Sequence, residues 1–328
     1  MQKLNFEQIK KIVHGVARVE EGEGKISFFR FTKEQQELYK SVSKDFYGKS
    51  FSTSGVYLEF ETDTENLFLS VLVSKASSRT YFNHSIFVNS KRMGELAGNI
   101  AENENVPFEK MFKLGAGMKK VRVLFPWSVV SNLVSLEIDD NAKVIPVDKK
   151  CKVLMFGDSI TQGYDASIPE KAYAFQIADY MEAEARNKGI AGELFFAKLT
   201  MEKEDLEPDF ITVAYGTNDW NHCTREEFCA NCGGFLSNLS RNYPNSPIFV
   251  ITPIWRKELN EYRAFGPFAQ VSEQIKELAA KHDNITVIDG FDFVPQNEAM
   301  FADFVLHPND HGFGCYFDNL SKQIKAFL

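Results

Sequence analysis

Residues 152–163 read KVLMFGDSITQG. The first part is an apolar segment that ends at Gly157, and Asp158 and Ser159 follow it directly. The apolar run is typical of a strand buried on both faces, and the residues after it are expected to begin a helix. Gly157 and Gly163 permit tight turns on either side of that helix. Ser159 is therefore expected where backbone N–H groups and the helix dipole favour developing negative charge. An Asp-Ser pair at such a position is also a common helix cap, so the motif alone leaves both roles open.

From this stretch to the C-terminus, short apolar segments alternate with helical patterns. The apolar segments are CKVLMF (151–156), FITVAY (210–215), IFVIT (248–252) and ITVID (285–289), and the helical patterns are 172–185, 225–242, 268–282 and the residues after His311. Strands that alternate with helices predict a parallel sheet covered on both faces. Open sheets of this kind bind ligands beyond the carboxyl ends of their strands, which is where Ser159 is expected.

The chain upstream of this region is rich in short strand patterns. They are GKISFFRF, SGVYLEFET, NLFLSVLVS, SIFVNS, KKVRVLFP and LVSLEID, and several of them alternate apolar and polar residues. Strands without intervening helical patterns predict an antiparallel sandwich of the jelly-roll kind. We interpret the polar stretch NAKVIPVDKK as a linker. The sequence therefore predicts an all-β domain at 1–148 followed by an α/β domain at 149–328.

The overall charge disfavours several kinds of partner. The 328 residues include 37 Lys and Arg against 45 Asp and Glu, a net charge of -8, so neither nucleic acid nor an anionic membrane is an expected partner. The N-terminal MQKLNFEQIKKIVHG lacks the apolar run of a signal peptide, and we expect a cytoplasmic protein. Five cysteines, an odd number on a long chain, predict reduced thiols. The sequence leaves the oligomeric state open, and a homo-oligomer is one outcome.

A histidine near the end of the chain is the candidate base. His307 lies in LHPND, in an expected loop before the last helix. A serine hydroxyl becomes a good nucleophile when a base takes its proton, and histidine titrates in the useful range. His311 and Asp310 are close in sequence, but the His-Pro pair favours His307. A surface side chain in a loop is the alternative interpretation.

Two further segments supply candidate donors for an oxyanion. AYGTNDW follows an apolar strand, and its Asn218 could direct a side-chain amide towards the edge of the sheet. NKGIAGEL contains Gly192, whose backbone N–H could approach the same point because glycine has no side chain. Each donor of this kind contributes about 3 kcal/mol to stabilising a tetrahedral intermediate in studied enzymes. Both segments can also be read as ordinary turns.

Taken together and in this order, GDSITQG, the glycine of IAGE, GTND and HPND resemble the four blocks of the SGNH (GDSL-like) hydrolases, over roughly Lys152 to Leu328. The resemblance implies a flavodoxin-like α/β/α fold. It also implies that Ser159 is the nucleophile and His307 the base. The oxyanion hole implied is the N–H groups of Ser159 and Gly192 with the Asn218 side chain. Such a serine esterase needs neither a metal ion nor an organic cofactor.

One position departs from that family's pattern. The family usually places its triad aspartate three residues before the histidine, where this chain has Phe304. Asp303 stands four residues before His307, and a one-residue bulge would still bring its carboxylate to Nδ1. The alternative is a Ser-His dyad in which a backbone carbonyl orients the ring.

A β-rich domain ahead of such a hydrolase domain also resembles the two-domain carbohydrate acetyl esterases of family 2. This second resemblance implies an acetylated sugar, most simply a small molecule or an oligosaccharide ester. Trp220 and Asp158, which adjoin the blocks, are then candidate substrate-binding residues. A position in the core or at a domain interface is the alternative for Trp220. The rival functions are a non-catalytic carbohydrate-binding protein and an acyltransferase that uses the same serine.

The segment NHCTREEFCANC raises the separate question of a zinc site. It contains His222, Cys223, Cys229 and Cys232, but only one C-x-x-C pair. Structural zinc sites usually combine two such pairs of ligands. We therefore predict a helix with cysteines packed as small apolar side chains.

Overall fold

The computed structural model describes residues 1–102 and 106–325. These residues form two compact units, the first comprising Met1–Lys149 together with Ile168–Glu170, and the second beginning at Lys150. The division after Lys149 lies one residue from the boundary expected after residue 148. The membership of Ile168–Glu170 in unit 1 has no signal in the sequence. Within unit 1, the Glu170 carboxylate accepts a hydrogen bond of 2.7 Å from Ser85 Oγ and lies 3.0 Å from Arg92 Nε.

Unit 1 consists mainly of antiparallel strands. Its elements in chain order are β1 (Gln2–Lys3), α1 (Phe6–Ile12), β2 (Val13–His14), β3 (Arg18–Gly22), β4 (Lys25–Phe29), α2 (Lys33–Val42), α3 (Lys44–Lys49), β5 (Tyr57–Thr62), β6 (Asn66–Lys75), β7 (Tyr81–Val88), β8 (Lys91–Asn99), a 3₁₀ turn (Ile100–Glu102), β9 (Phe108–Lys113), β10 (Lys119–Leu124), β11 (Val129–Ile138) and β12 (Ile145–Pro146).

The strands of unit 1 form two sheets. One has the order β3-β4-β11-β6-β9 and the other β12-β5-β10-β7-β8, with β1 added beside β11 and β2 beside β5. The inward side chains of both sheets share one apolar core, in which Leu58 and Val121 come from one sheet and Leu69 and Leu133 from the other. Along β11 full burial alternates with partial burial, as the period of two in the sequence indicates, whereas β5 and β10 are buried over most of their length. The expected β-sandwich is therefore present.

Helices in unit 1 were not expected from the strand patterns. Two of them begin at capping boxes, in which the side chain of Asn5 accepts from Gln8 N–H, and that of Thr32 from Gln35 N–H. The N3 glutamine returns a hydrogen bond to the cap backbone in both cases. A capping box satisfies two backbone donors that a helix end otherwise leaves open. Each capping box involves only a few residues, and the strand patterns around them in the sequence are more numerous.

Unit 2 alternates strands and helices. Its elements are β13 (Cys151–Gly157), α4 (Ser159–Gln162), a 3₁₀ turn (Pro169–Lys171) shared with unit 1, α5 (Tyr173–Tyr180), β14 (Ala183–Asn187), a 3₁₀ turn (Ala197–Thr200), β15 (Phe210–Ala214), α6 (Thr217–His222), α7 (Arg225–Asn242), β16 (Ile248–Ile251), α8 (Ala269–Ala279), β17 (Ile285–Ile288), a 3₁₀ turn (Glu298–Met300) and α9 (Asp310–Lys325).

The sheet of unit 2 is parallel and has the order β14-β13-β15-β16-β17. Numbered within the unit, this is 2-1-3-4-5, the flavodoxin-like order, and it confirms the expected fold. The order reverses between β13 and β15, which pair from Val153–Phe210 to Gly157–Ala214. Ligands bind in such sheets beyond the carboxyl ends of the strands at this reversal. The segments that follow β13 and β15 contain Ser159 and Asn218.

One expected helix is shorter than its sequence pattern predicts. The helical pattern at 172–185 is helix α5 only to Tyr180, and strand β14 begins at Ala183. Glu182 adopts a φ of +50° between the two elements. Ala183 and Ala185 are buried and pair in register with Cys151 and Val153 of β13. Alanine favours helices on its own, and here the parallel pairing overrides that preference.

None of the helices in the described part of the chain is long and apolar enough to cross a bilayer.

Candidate active site

Ser159 is the first residue of α4, directly after the carboxyl end of β13. Asp158 caps this helix, since its side chain accepts a hydrogen bond of 2.9 Å from Ile160 N–H. The helix is a single turn that ends at Gly163, which has a φ of +98°. A one-turn helix has a small dipole, so local N–H groups, rather than the helix dipole of the sequence analysis, are the relevant donors here.

The turn before Ser159 requires a glycine. A Cβ at Gly157 would lie 2.0 Å from Thr161 Oγ1 and 2.9 Å from the Ala214 carbonyl oxygen, closer than non-bonded atoms approach. The absence of a side chain therefore allows the strand to turn sharply into α4 against β15. This close approach explains why a glycine precedes the Asp158-Ser159 pair.

His307 and Asp303 form a continuous hydrogen-bonded chain with Ser159. His307 Nε2 lies 3.0 Å from Ser159 Oγ, and His307 Nδ1 lies 2.7 Å from Asp303 Oδ2. These are hydrogen-bond distances, and the two ring nitrogens face different partners. The Ser159 hydroxyl is 148 residues away from the histidine along the chain, so the contact depends on the fold. The arrangement has the geometry of a serine nucleophile, a base and an orienting acid.

The extra residue between Asp303 and His307 is accommodated by a local bulge. Phe304 has a φ of +58°, and the residue is 61% exposed. A left-handed residue reverses the chain direction locally, so the four-residue spacing still returns the Asp303 carboxylate to Nδ1. The second carboxylate oxygen, Oδ1, accepts N–H bonds of 2.9 Å from Val305, 2.8 Å from Leu306 and 3.1 Å from His307.

The Asp303 carboxylate is held ionised. Partial burial acts to raise its pKa, but the hydrogen bond from His307 and the N–H groups of Leu306 and Val305 outweigh it. The net pKa of Asp303 lies below its ordinary value of 3.8. An ionised acceptor at 2.7 Å fixes the proton of the imidazole on Nδ1 and leaves Nε2 facing the serine as an acceptor.

The two other candidate oxyanion donors lie in segments that contact each other. Gly192 has a φ of +85° in an exposed turn, which glycine adopts without strain. The next residue, Glu193, accepts a hydrogen bond of 3.1 Å at its carbonyl from Asn218 Nδ2. Its buried carboxylate accepts a further bond of 2.9 Å from the hydroxyl of Tyr215. The side-chain amide of Asn218 has two N–H groups, and this bond uses one of them.

Hydrogen bonds from buried polar groups fix the residues on either side of Asn218. Arg256 is buried, and its Nη1 donates to the carbonyl oxygen of Thr217 at 3.2 Å and to Thr217 Oγ1 at 3.1 Å. Asp219 Oδ1 accepts a hydrogen bond of 3.0 Å from Phe195 N–H, which joins the Asn218 segment to the Gly192 segment a second time. Burial raises the pKa of Asp219 to about 7.

The structure corrects the two proposed substrate-binding residues. The ring of Trp220 is fully buried, its Nε1–H donates to the Gly266 carbonyl oxygen at 2.8 Å, and Phe268 packs against it edge to face. A fully buried ring has no face on which a sugar could stack. Asp158 is also buried, and burial raises its pKa to about 6. Its carboxylate serves the helix cap, which was the alternative interpretation of this motif.

Two residues near His307 were missed in the sequence analysis. The ring of Tyr164 lies 5.1 Å from the imidazole, centre to centre, and Asp165 Oδ2 lies 3.8 Å from His307 Nδ1. The sequence signal that could have identified them is their position, because both directly follow the GDSITQG motif after the carboxyl end of β13. Their proximity to a histidine over a hundred residues later has no trace in the local sequence.

The cysteine-rich segment is helical on either side of Cys223 and Thr224, which lie between α6 and α7, so the predicted helix is present only in part. Cys229 and Cys232 lie on α7, and Cys229 Sγ lies 3.1 Å from the side-chain oxygen of Gln274. Burial raises the pKa of the Cys232 thiol well above its ordinary value of 9.0, which disfavours the thiolate that binds metals. In the described residues, the potential metal-ligand atoms that converge belong to Asp165, Asp303 and His307 instead.

Comparisons with known proteins identify a family for part of the chain. Residues 155–314 match the model of the GDSL-like Lipase/Acylhydrolase family. The sequence has no significant match among curated proteins.

Three similar solved structures show how widely the fold is used. The salicylyl-acyltransferase SsfX3 from a tetracycline biosynthetic pathway has a TM-score of 0.82 at 19% identity, covering 96% of this chain and 94% of that one. A putative GDSL-like lipase from Bacteroides ovatus has a TM-score of 0.74 at 20% identity, covering 97% and 96%. The acetyl xylan esterase Est2A from the rumen bacterium Butyrivibrio proteoclasticus has a TM-score of 0.65 at 15% identity, covering 99% and 98%.

At these identities the solved structures establish the fold, while the matched segment spans Ser159, Gly192, Asn218 and His307. The chain therefore carries, at residues 155–314, a domain of the GDSL-like lipase/acylhydrolase family.

Proposed function

We propose that this protein is a serine esterase that hydrolyses short-chain esters, most simply acetyl esters of a carbohydrate, through an acyl-serine intermediate. The observation that carries the proposal is the chain of contacts from Ser159 Oγ to His307 Nε2 at 3.0 Å and from His307 Nδ1 to Asp303 at 2.7 Å. A serine with a base at hydrogen-bond distance, itself oriented by an acid, is the arrangement that acyl transfer requires.

The reaction proceeds in two halves. Ser159 Oγ attacks the ester carbonyl carbon while His307 Nε2 accepts the hydroxyl proton, and a tetrahedral intermediate forms. His307 then gives the proton to the leaving alcohol oxygen, the carbon–oxygen bond of the ester breaks, and the acyl group remains on Ser159. In the second half a water molecule gives a proton to His307 and attacks the acyl carbon. The bond between that carbon and Ser159 Oγ then breaks, His307 returns the proton to Oγ, and the acid leaves. The Asp303 carboxylate stabilises the imidazolium in both halves.

The negative charge of each tetrahedral intermediate is assigned to three donors. They are the backbone N–H groups of Ser159 and Gly192 and the Asn218 amide N–H that is not bonded to Glu193. Support comes from the hydrogen bond between Asn218 Nδ2 and the Glu193 carbonyl, which holds the Asn218 side chain beside the Gly192 turn. Donors fixed before the reaction need no reorganisation in the transition state.

An acetylated carbohydrate is the favoured substrate class because the whole chain is similar in fold to Est2A, whose name gives it as an acetyl xylan esterase. The fold likeness to the SsfX3 acyltransferase supports an alternative function, acyl transfer through the same acyl-serine intermediate. An alcohol can replace water as the acceptor of the acyl group, and the intermediate on Ser159 is then unchanged.

The first experiment compares wild type with Ser159→Ala and Asp303→Asn on p-nitrophenyl acetate and on an acetylated xylo-oligosaccharide, measuring released p-nitrophenol and acetate. We expect Ser159→Ala to abolish turnover and Asp303→Asn to lower kcat by about 10²- to 10⁴-fold, since an amide cannot stabilise the imidazolium in the same way.

Labelling with a fluorophosphonate provides a measure that does not depend on the ester chosen. Wild type should be modified at Ser159, and Ser159→Ala should not. A folded wild type that neither releases acid nor reacts with the phosphonate would contradict the proposal and favour a non-catalytic carbohydrate-binding protein. Acetyl transfer to an added alcohol in preference to water would identify an acyltransferase.

A further inference from the structure

Asp165 places a second carboxylate beside the candidate base. Its Oδ2 lies 3.8 Å from His307 Nδ1, the same nitrogen that Asp303 contacts at 2.7 Å. The ligand atoms of Asp165, Asp303 and His307 lie within 4.8 Å of one another. The side chain of Asp165 is 9% exposed, so water screens its charge only partly. At 3.8 Å the contact is beyond a good hydrogen bond, and its effect on the ring is electrostatic.

The charge of Asp303 is shared among several donors. Its Oδ1 accepts the N–H groups of Val305, Leu306 and His307, while Oδ2 faces the imidazole. Donors already bonded to a carboxylate offset part of its negative charge. A second carboxylate at Nδ1 therefore adds stabilisation to an imidazolium that Asp303 alone does not supply.

The segment that carries Asp165 is fixed against the His307 side of unit 2. Asp165 has a φ of +68°, a conformation that aspartate tolerates better than most residues. Two residues later, Ser167 donates both its N–H and its hydroxyl to the carboxylate of Asp310. The preceding Tyr164 ring lies against the imidazole at 5.1 Å. The position of Asp165 is thus set from both sides.

We infer that Asp165 is a positioning residue for the base, a second acid that shares with Asp303 the stabilisation of the His307 imidazolium. The inference rests on the proposed function. In wild type Asp303 provides the directional hydrogen bond and Asp165 adds its charge through space. When Asp303 is replaced by an amide, Asp165 is the remaining carboxylate within 4 Å of Nδ1 in the described chain.

The test is a double-mutant cycle with Asp165→Asn and Asp303→Asn, in which kcat and KM are measured on p-nitrophenyl acetate and the rate of fluorophosphonate labelling is measured in parallel. In the wild-type background Asp165→Asn should lower kcat by about tenfold and leave KM unchanged. In the Asp303→Asn background the same change should lower kcat by about a hundredfold, because neither Asp165 nor Asp303 then presents a carboxylate to Nδ1. Asp165→Glu should restore part of the activity, since it keeps the charge.

Asp310→Asn is the matched control. It loosens the same segment by weakening the contact with Ser167, but it removes no charge from His307 Nδ1. A loss of activity through displacement of the segment should reduce kcat by the same factor in both backgrounds. We expect this equal reduction of kcat in the two backgrounds for Asp310→Asn, and unequal reductions for Asp165→Asn.

Each outcome separates the two proposals. A wild type that reacts with the ester or the phosphonate, combined with equal factors for Asp165→Asn in both backgrounds, would overturn the role of Asp165 and leave the esterase intact. An Asp165→Asn variant with unchanged kcat in both backgrounds would overturn it as well. A wild type inert to both reagents would contradict the proposed function, and the role of Asp165 with it.

Discussion

The carboxylate of Asp303 contacts His307 Nδ1 at 2.7 Å although the two residues are four positions apart, one more than the SGNH pattern provides. The additional residue is Phe304, whose backbone adopts a left-handed conformation with a φ of +58°. The bulge also aims the N–H groups of Val305, Leu306 and His307 at Asp303 Oδ1. With the four-residue spacing, one carboxylate oxygen of Asp303 thus contacts the imidazole while the other accepts three backbone N–H groups.

The cost of this bulge can be measured with a matched pair of variants, Phe304→Gly and Phe304→Ala. Both remove the exposed ring, but only glycine adopts a positive φ without a steric penalty, so the Gly variant should be more stable by about 1 kcal/mol. The measurement is the free energy of unfolding in urea. Both variants should retain kcat if the contact between Asp303 and His307 is kept.

An Ala variant as stable as the Gly variant would show that residue 304 does not adopt the left-handed conformation in solution. A large loss of kcat in both would mean that the ring itself takes part in the reaction.

Much of the fold could be predicted because its signals are local. Apolar runs such as CKVLMF and FITVAY became β13 and β15, and the helical pattern at 225–242 became α7 with the same bounds. The helical pattern at 172–185 misled because strand β14 contains alanines, whose helix preference is overridden by pairing with β13. Local propensity decides between helix and strand where no neighbouring strand is available to pair with the backbone.

The site could be predicted only where a motif carried it. Ser159 and His307 were found from their blocks, and the structure brings their side chains within 3.0 Å. Asp165 was missed because its significance lies in a distance to His307, which no local pattern encodes. For Trp220, its place next to Asn218 left both a substrate contact and a core position open, and the fully buried ring decides for the core. Proximity in sequence does not say which way a side chain points.

Replacement of Asn218 by alanine tests the oxyanion assignment. The variant removes one donor to the tetrahedral intermediate, and kcat should fall by about 10²- to 10³-fold with little change in KM. It also leaves the Glu193 carbonyl without its hydrogen bond. Steady-state kinetics on p-nitrophenyl acetate measure the first effect.

The comparison variant is Tyr215→Phe, which removes the hydrogen bond to the Glu193 carboxylate and leaves the Asn218 amide in place. Tyr215→Phe should lower kcat far less than Asn218→Ala. Equal losses in the two variants would indicate that Asn218 acts only by holding the Glu193 segment.

The buried carboxyl of Asp219 predicts a specific dependence of stability on pH. Burial raises its pKa from an ordinary value of 3.8 to about 7, although the N–H of Phe195 acts in the opposite direction. Its Oδ2 accepts no hydrogen bond from the described residues, which agrees with a proton on that oxygen. Between about pH 4 and pH 7 the folded protein therefore holds a proton that the unfolded chain releases, and stability falls as the pH rises through this window. Asp158, whose pKa burial raises to about 6, contributes with the same sign.

Asp219→Asn should remove the part of this pH-dependent loss of stability that comes from Asp219, because an amide does not ionise. The amide oxygen can still accept a hydrogen bond from Phe195 N–H. The free energy of unfolding, measured in urea at about pH 4.5 and pH 8, should favour the variant over wild type more at the higher pH than at the lower. Asp283→Asn, which removes an exposed carboxylate, corrects for the change in net charge. A difference between Asp219→Asn and wild type that is the same at both pH values would mean that Asp219 is ionised throughout this range. The Phe195 N–H would then be bonded to a buried charge, and the contact between the Asn218 and Gly192 segments would depend on an ion rather than on a neutral acid.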